Sequence, residues 1–458
     1  MIASLKKLFS FDKTVWGWAF YDWANSAFAT TVMAGFFPIF FKNFWSSGVD
    51  ANVSTFYLGM GNSIAGLIIA LMAPLLGAIA DKGSARKKFL IFFAFLGIVM
   101  TAALFWVGQG AWQMAVLVFV LGTVGFSGAN IFYDALLPLI AREEDVDLVS
   151  GLGYGLGYLG GGLLFAVNVA MTLMPETFGL ESAAQAVRFA FLSVALWWAV
   201  FSLLLIFWVP EEKRPTGAEP GGLVSQGFRE FKNTLSKMPR LKTLFTFLLA
   251  YWLYIDGVDT VIRMAVDYGK SLGFEDSILI SALLLVQFVG FPAAIIYTRM
   301  AQQYSIRKGI FFGIFAYGIL TLGGMFMTNS LHFFALAVGV GLVQGGIQAL
   351  SRSYFARLIP TPETAGEFFG FYNMIGKSAV VIGPVLMGAV GLLVKAILET
   401  SGSGLLPEGE ISLLATRFSL GALVILFAGG ALLLARVDEA NAHEEARLFR
   451  ESHPGHHS

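Results

Sequence analysis

The chain has 458 residues, of which 57% are hydrophobic and only 13% charged, against about 25% charge in a soluble domain; a soluble globular fold is excluded. Its 30 basic and 30 acidic residues cancel, so no global field points to nucleic acid. The absence of cysteine removes disulfide frameworks, thiol catalysis and cysteine metal sites together.

A membrane-crossing helix needs about 20 mostly apolar residues. Twelve stretches qualify, at 15–44, 55–80, 87–108, 111–140, 149–174, 186–209, 242–268, 276–299, 308–328, 331–358, 367–396 and 412–435. The class expected is an all-α polytopic membrane protein. Lys6, Lys7 and Lys13 precede the first stretch and no small-residue cleavage site follows it, so the start reads as a cytoplasmic tail entering a first helix.

The longest polar stretch, Pro210 to Arg240, divides the chain into an N-terminal six-helix bundle (1–209), a cytoplasmic linker (210–240) and a C-terminal six-helix bundle with a cytoplasmic tail (241–458). The linker opens rich in Pro and Gly. Its second part, with Leu223, Phe228, Phe231 and Leu235, has the pattern of an amphipathic surface helix. Placing both termini in the cytoplasm puts 22 of the 30 lysines and arginines inside, as the positive-inside rule requires. In a bacterium the location would be the inner membrane.

Positions three and four apart share a helix face, and on this test five spans carry a polar stripe. The first has Asp22, Asn25 and Ser26; the fourth has Asn130 and Asp134. The seventh has Asp256, Asp259, Arg263 and Asp267, the tenth Gln344, Gln348 and Arg352, and the eleventh Asn373 and Lys377. Asp22, Asp134, Asp256, Asp259, Arg263, Arg352 and Lys377 exposed to lipid would cost on the order of 20 kcal/mol at about 3 kcal/mol each. That exceeds the roughly 5–15 kcal/mol by which native proteins are stable. These residues must face one another or a wet cavity, the mark of a solute pathway.

YDWANSA in the first span parallels YIDGVDTV in the seventh, although the two aspartates differ in depth. Gly151 and Gly155 parallel Gly366 and Gly370. Duplicated halves are common in transporters. Plainer roles are open for several groups. Asp259, Arg263 and Asp267 suit an ion-pair ladder, Asp22, Asp134 and Arg352 an inner gate, and GLGYGLGYLGGG (151–162) close helix packing. Trp16, Trp45, Trp106 and Trp208 read as interface anchors.

GAIADKGSARKK (77–88) resembles the loop between the second and third helices of the major facilitator superfamily, at Gly77, Asp81, Gly83, Arg86 and Lys87. In that superfamily the loop latches the second helix to the eleventh and stabilises one gate state. The loop after the eighth span lacks the aspartate. FYDWANSAFATTVMAGFFPIFF (20–41), YDALLP (133–138), SGLGYGLGYLGG (150–161), GGIQALSRSYFARLIP (345–360) and EFFGFYNMIGK (367–377) further resemble its vacuole-effluxer-like branch. That branch includes bacterial members of unknown substrate and fungal autophagy-related vacuolar proteins. The resemblance implies twelve helices, alternating access and, by extension from the fungal members, amino-acid efflux. It also implies that helices 1, 4, 7 and 10 line the central cavity.

The expected activity is therefore secondary active transport of a small polar solute, with no cofactor, metal or nucleic acid, by a monomer embedded in lipid. A zwitterionic substrate needs a cation for its carboxylate: Arg352, which offers bidentate geometry, or Lys377 as second choice. Asp22 or Asp256 would take the amine. Asn25, Asn130, Asp259, Gln344, Gln348 and Asn373 complete the candidate binding set. Asp22 and Asp134 are the candidates for carrying a coupled proton. A lipid, lysolipid or organic-anion transporter would share the fold. An intramembrane enzyme fits least, since no HExxH, GxSxG or phosphate-binding loop occurs.

Overall fold

A computed structural model describes residues 10–49, 51–83, 85–211, 229, 232, 241–378, 382–401 and 407–451. The amphipathic helix expected in the linker, with Leu223, Phe228, Phe231 and Leu235, lies outside the described residues. Among those described there is no strand, and twelve helices are long and apolar enough to cross a membrane.

In chain order the helices are α1 (Lys13–Trp45), α2 (Ala51–Gly83), α3 (Arg86–Ala103), α4 (Trp112–Ile140), α5 (Val146–Leu173) and α6 (Ala183–Trp208). They continue with α7 (Lys242–Ser271), α8 (Asp276–Tyr304), α9 (Ile306–Met325) and α10 (Ser330–Leu358). Next come α11 (Ala365–Ser378) and α12 (Ile382–Ser401), on either side of residues 379–381, which lie outside the described residues. The last span is α13 (Glu410–Ala435), followed by a polar helix, α14 (Glu439–Glu451).

The chain packs as two units. One comprises Met1–Lys237 and Thr361–Met374, the other Met238–Pro360 and Ile375–Ser458. The sequence division at 210–240 places Thr361–Met374 in the second bundle. In the structure this segment packs with the first unit, because Asp81 and Arg86 bond to its backbone.

Within the first unit α1 lies on α5 and α6, and α3 on α4. The glycine run of α5 explains the first contact. A Cβ at Gly153 would meet Tyr133, Asp22 and Trp18, one at Gly157 would meet Ser26, and one at Gly160 would meet Trp23. Small residues let helix backbones approach closely where lipid supplies no hydrophobic drive. Trp45 corrects an expectation: it is fully buried, not an interface anchor. It packs against Phe37, Phe40 and Phe191, and its Nε1–H donates to the carbonyl of Val107 at 3.1 Å. That internal acceptor replaces the water an interfacial indole would seek. Trp106, by contrast, is 68% exposed.

α1 is not uniformly α-helical. Phe28–Phe36 and Phe41–Trp45 are π-helical, so that the N–H of Phe37 reaches Val32 O and that of Ser46 reaches Phe41 O at 2.8 Å. Such stretches are rare and cluster at functional sites.

Within the second unit α8 packs on α10, and α7 and α12 pack on α13. Gly257 sits under Phe427, and Gly430 under Tyr254. α14 holds the start of α7: the Thr243 N–H donates to Glu445 at 3.0 Å, a carboxylate placed where the helix dipole favours it. Tyr354 Oη–H donates to Glu439 of the same helix at 3.0 Å.

Candidate functional site

Polar side chains of α1 and α4 meet inside the first unit. Tyr133 Oη–H donates to Asp22 Oδ2 at 3.0 Å, and Asn25 Nδ2–H donates to Asn130 Oδ1 at 2.6 Å. Trp18 stacks on the Tyr133 ring with centroids 4.3 Å apart and donates its Nε1–H to the Tyr133 carbonyl at 2.8 Å. One turn along, Asp134 accepts from Asn373 Nδ2–H at 3.1 Å, and the same amide also donates to Phe369 O at 3.0 Å. The structure thus pairs Asn25 with Asn130 and Asp134 with Asn373, and sets Asp22 against Tyr133; Asn25 and Asp134 are buried.

Tyr133 is absent from the sequence candidates, though it stands beside Asp134 in YDALLP. A tyrosine one residue from a buried aspartate is the available signal. Tyr133→Phe removes one donor to Asp22 and keeps the ring stack. The expected loss is about 1.5–3 kcal/mol, the range for a hydrogen bond to a charged group. Thermal unfolding followed by tryptophan fluorescence checks this, and an unchanged midpoint would remove the bond from the stability of the fold.

The loop between α2 and α3 forms a second polar centre. The Asp81 carboxylate accepts the backbone N–H groups of Gly366 at 3.1 Å and Glu367 at 2.9 Å, satisfying donors that the start of α11 cannot pair internally. Arg86 Nε–H lies 2.5 Å from Asp81 Oδ1, and its Nη2–H groups donate to the carbonyls of Pro362 and Glu363. Gly77 lies directly against the Gly366 carbonyl. Lys87 turns to another element: its Nζ donates to the carbonyls of Ile206 and Val209 at 2.6 and 2.7 Å, a cation at the C-terminal end of α6. Gly83 ends α2. A cleft of about 360 Å³ opens beside this centre, lined by residues including Asp12, Leu136 and Glu211. Burial there raises the Glu211 carboxyl above the ordinary carboxylate range, opposed by the Lys87 backbone N–H.

In the second unit Asp256 is fully buried. It accepts the N–H of Ile382 at 3.1 Å, the N–H of Gly383 at 3.0 Å, and the Thr260 hydroxyl at 3.2 Å. Its carboxylate is committed to the start of α12. Arg352 is 2% exposed, next to Ser351, whose Oγ lies 2.6 Å from Tyr254 Oη. Gln344, Gln348 and Asp259 are half-buried, whereas Arg263 is exposed. The side chains of Lys377 and Asp267 lie outside the described residues.

The family model described as "Vacuole effluxer Atg22 like" matches residues 11–391. The chain belongs to this family. The uncharacterized MFS-type transporter YxiO of Bacillus subtilis is 38% identical over 431 residues, covering 94% of this chain and 96% of that one. Autophagy-related protein 22-1 of Penicillium rubens is 22% identical, over 75% of this chain and 71% of its own length. Among solved structures, the human organic anion transporter MFSD10 (TETRAN) has a TM-score of 0.67 at 14% identity, covering 92% of this chain and 99% of that chain. The proton:xylose symporter XylE has a TM-score of 0.63 at 15% identity, covering 95% and 97%. These likenesses show the major facilitator fold. This vacuole-effluxer-like protein is a multi-pass membrane transporter of a small molecule, not an enzyme.

Proposed function

We propose that the transporter exports a zwitterionic solute, an amino acid, by alternating access coupled to protons, with both termini in the cytoplasm. The observation that carries this reading is a set of buried polar and ionisable side chains within otherwise apolar spans: Asn25, Asp134, Asp256 and Arg352. Buried intramembrane charge is costly and marks solute or ion pathways. Arg352 is the candidate for the substrate carboxylate, with Lys377 second. The engagement of Asp256 with α12 favours Asp22 and Asp259 for the amine, with Asn25, Asn130, Gln344, Gln348 and Asn373 orienting the ligand. Asp134 is a candidate for proton carriage alongside Asp22.

Proteoliposomes loaded with an amino-acid and dipeptide mixture test the reading. Release is analysed by mass spectrometry with and without an imposed pH gradient. Selective, gradient-dependent release of amino acids is the expected result. Release no greater than from protein-free vesicles, beside an active control transporter, would overturn the amino-acid assignment and direct the assay to lipids and organic anions.

A further inference from the structure

Two carboxylates in this fold perform the same local task in different company. Asp81 of α2 receives the first N–H groups of α11, and Asp256 of α7 receives those of α12. Each depends on a glycine. A Cβ at Gly366 would strike Asp81, and one at Gly383 would strike Asp256 and Thr260. Their surroundings then diverge. Asp81 holds a guanidinium partner in Arg86 at 2.5 Å, an opposite charge in direct contact. Asp256 has only neutral donors among its hydrogen bonds, the two backbone amides and the Thr260 hydroxyl.

We infer that Asp256 is a proton-operated latch, locking the start of α12 to α7 when ionised and releasing it when protonated. The inference rests on the proton-coupled reading above and adds Asp256 to its proton-carrying groups. Ionised, the carboxylate only accepts, and each of these three groups donates to it. Protonated, it must itself donate, and the proton occupies a lone pair that one of these donors now uses. The hydroxyl of Thr260 can rotate to accept; the amides of Ile382 and Gly383 cannot. Proton uptake therefore loosens the helix end.

Charged groups also stand on α7, α10 and α11. Asp259, one turn along α7, is a second carboxylate on the same helix. Arg352 is buried on α10, beside Ser351 at the level of Tyr254. Lys377 stands on α11, its side chain outside the described residues. The charges of α8, α9, α13 and α14 lie toward helix ends or loops, as with Arg299, Arg307, Arg417, which donates to Met327 O, and Glu445 at the start of α7. Lys395 and Glu399 pair with each other far along α12.

Amide exchange of the full-length protein tests this without reference to transport. At each pH between about 8 and 4, rates are divided by those of an unstructured peptide, which isolates local opening. In the wild type, the peptide carrying Ile382 and Gly383 is expected to exchange roughly tenfold faster at the acid end, about the effect of losing a helix cap. Asp256→Asn should be fast and flat across the range, and Asp256→Glu should restore a pH step. A wild-type profile flat in pH, or a step retained in Asp256→Asn, overturns the latch. In proteoliposomes Asp256→Asn is expected to lose the response of transport to a pH gradient. Gradient-driven transport retained in this variant overturns the coupling role. A wild type that transports without any response to the gradient refutes proton coupling itself, while the exchange profile still decides the latch.

Discussion

Arg86→Ala is expected to lower the unfolding midpoint of the transporter more than any other single charge removal on the first unit. Arg86 is 4% exposed, and its guanidinium serves three acceptors: Asp81 and the carbonyls of Pro362 and Glu363. Its removal leaves the Asp81 charge buried and takes a donor from two carbonyls. Breaking a buried pair from one side costs about 3–5 kcal/mol, a large share of the roughly 5–15 kcal/mol that stabilises a native protein. Arg86→Lys should recover part of the loss, since an ammonium restores the charge but not the planar fork. Adding Asp81→Asn to Arg86→Ala should cost less than the two changes summed, because the residues share one network. Lys395→Ala is the matched control. Its partner Glu399 lies at 3.8 Å with both side chains more than half exposed, where an ion pair contributes about 0–1 kcal/mol. Midpoints from tryptophan fluorescence in detergent decide the matter. Equal shifts for Arg86→Ala and Lys395→Ala would show that the latch contributes nothing special.

Gly77→Ala should be the most damaging addition of a single methyl group. Its Cβ would overlap the carbonyl of Gly366 and crowd the backbone of Glu367, and no flexible side chain is there to yield. Overpacking alone costs about 1–3 kcal/mol. Pushing α11 outward would also draw the Gly366 and Glu367 amides from Asp81, so the loss should approach that of the latch itself. Gly66 lies on the same helix, and a methyl group there would have nothing within 4 Å. At that position the same change should stabilise by roughly 0.5–1 kcal/mol, through reduced backbone freedom. The two variants are expected to move the midpoint in opposite directions. Shifts of the same sign would refute the close approach of α2 and α11.

The membrane spans are legible in the sequence because hydropathy over about 20 residues is a strong, local signal. The polar stripes are legible for the same reason, as spacing along one helix. Which stripe meets which is a matter of tertiary structure, and spacing does not carry it. Nothing in YIDGVDTV distinguishes a carboxylate waiting for a ligand from one capping a helix more than a hundred residues later, as Asp256 does at Ile382 and Gly383. Tyr133 is hidden by its ordinary aromatic character, and Trp45 by the habit of tryptophan to mark interfaces. The repeat between the first and seventh spans holds at the level of residue type, while Asp22 pairs with a tyrosine hydroxyl and Asp256 with backbone amides.

The π-helical stretches of α1 have a practical consequence for mapping. Where each amide reaches one residue further back, the angular step per residue shrinks, and a wheel drawn at 3.6 residues per turn loses phase beyond Phe28. Residues of the second half then fall on faces other than those the first half would extrapolate. The chain is naturally free of cysteine, so single thiols can be introduced along Lys13–Trp45 with no background to remove. Reaction with a water-borne maleimide should follow one periodicity up to Ala27 and a displaced one after it. A substrate protection map of this helix must therefore be read in two registers.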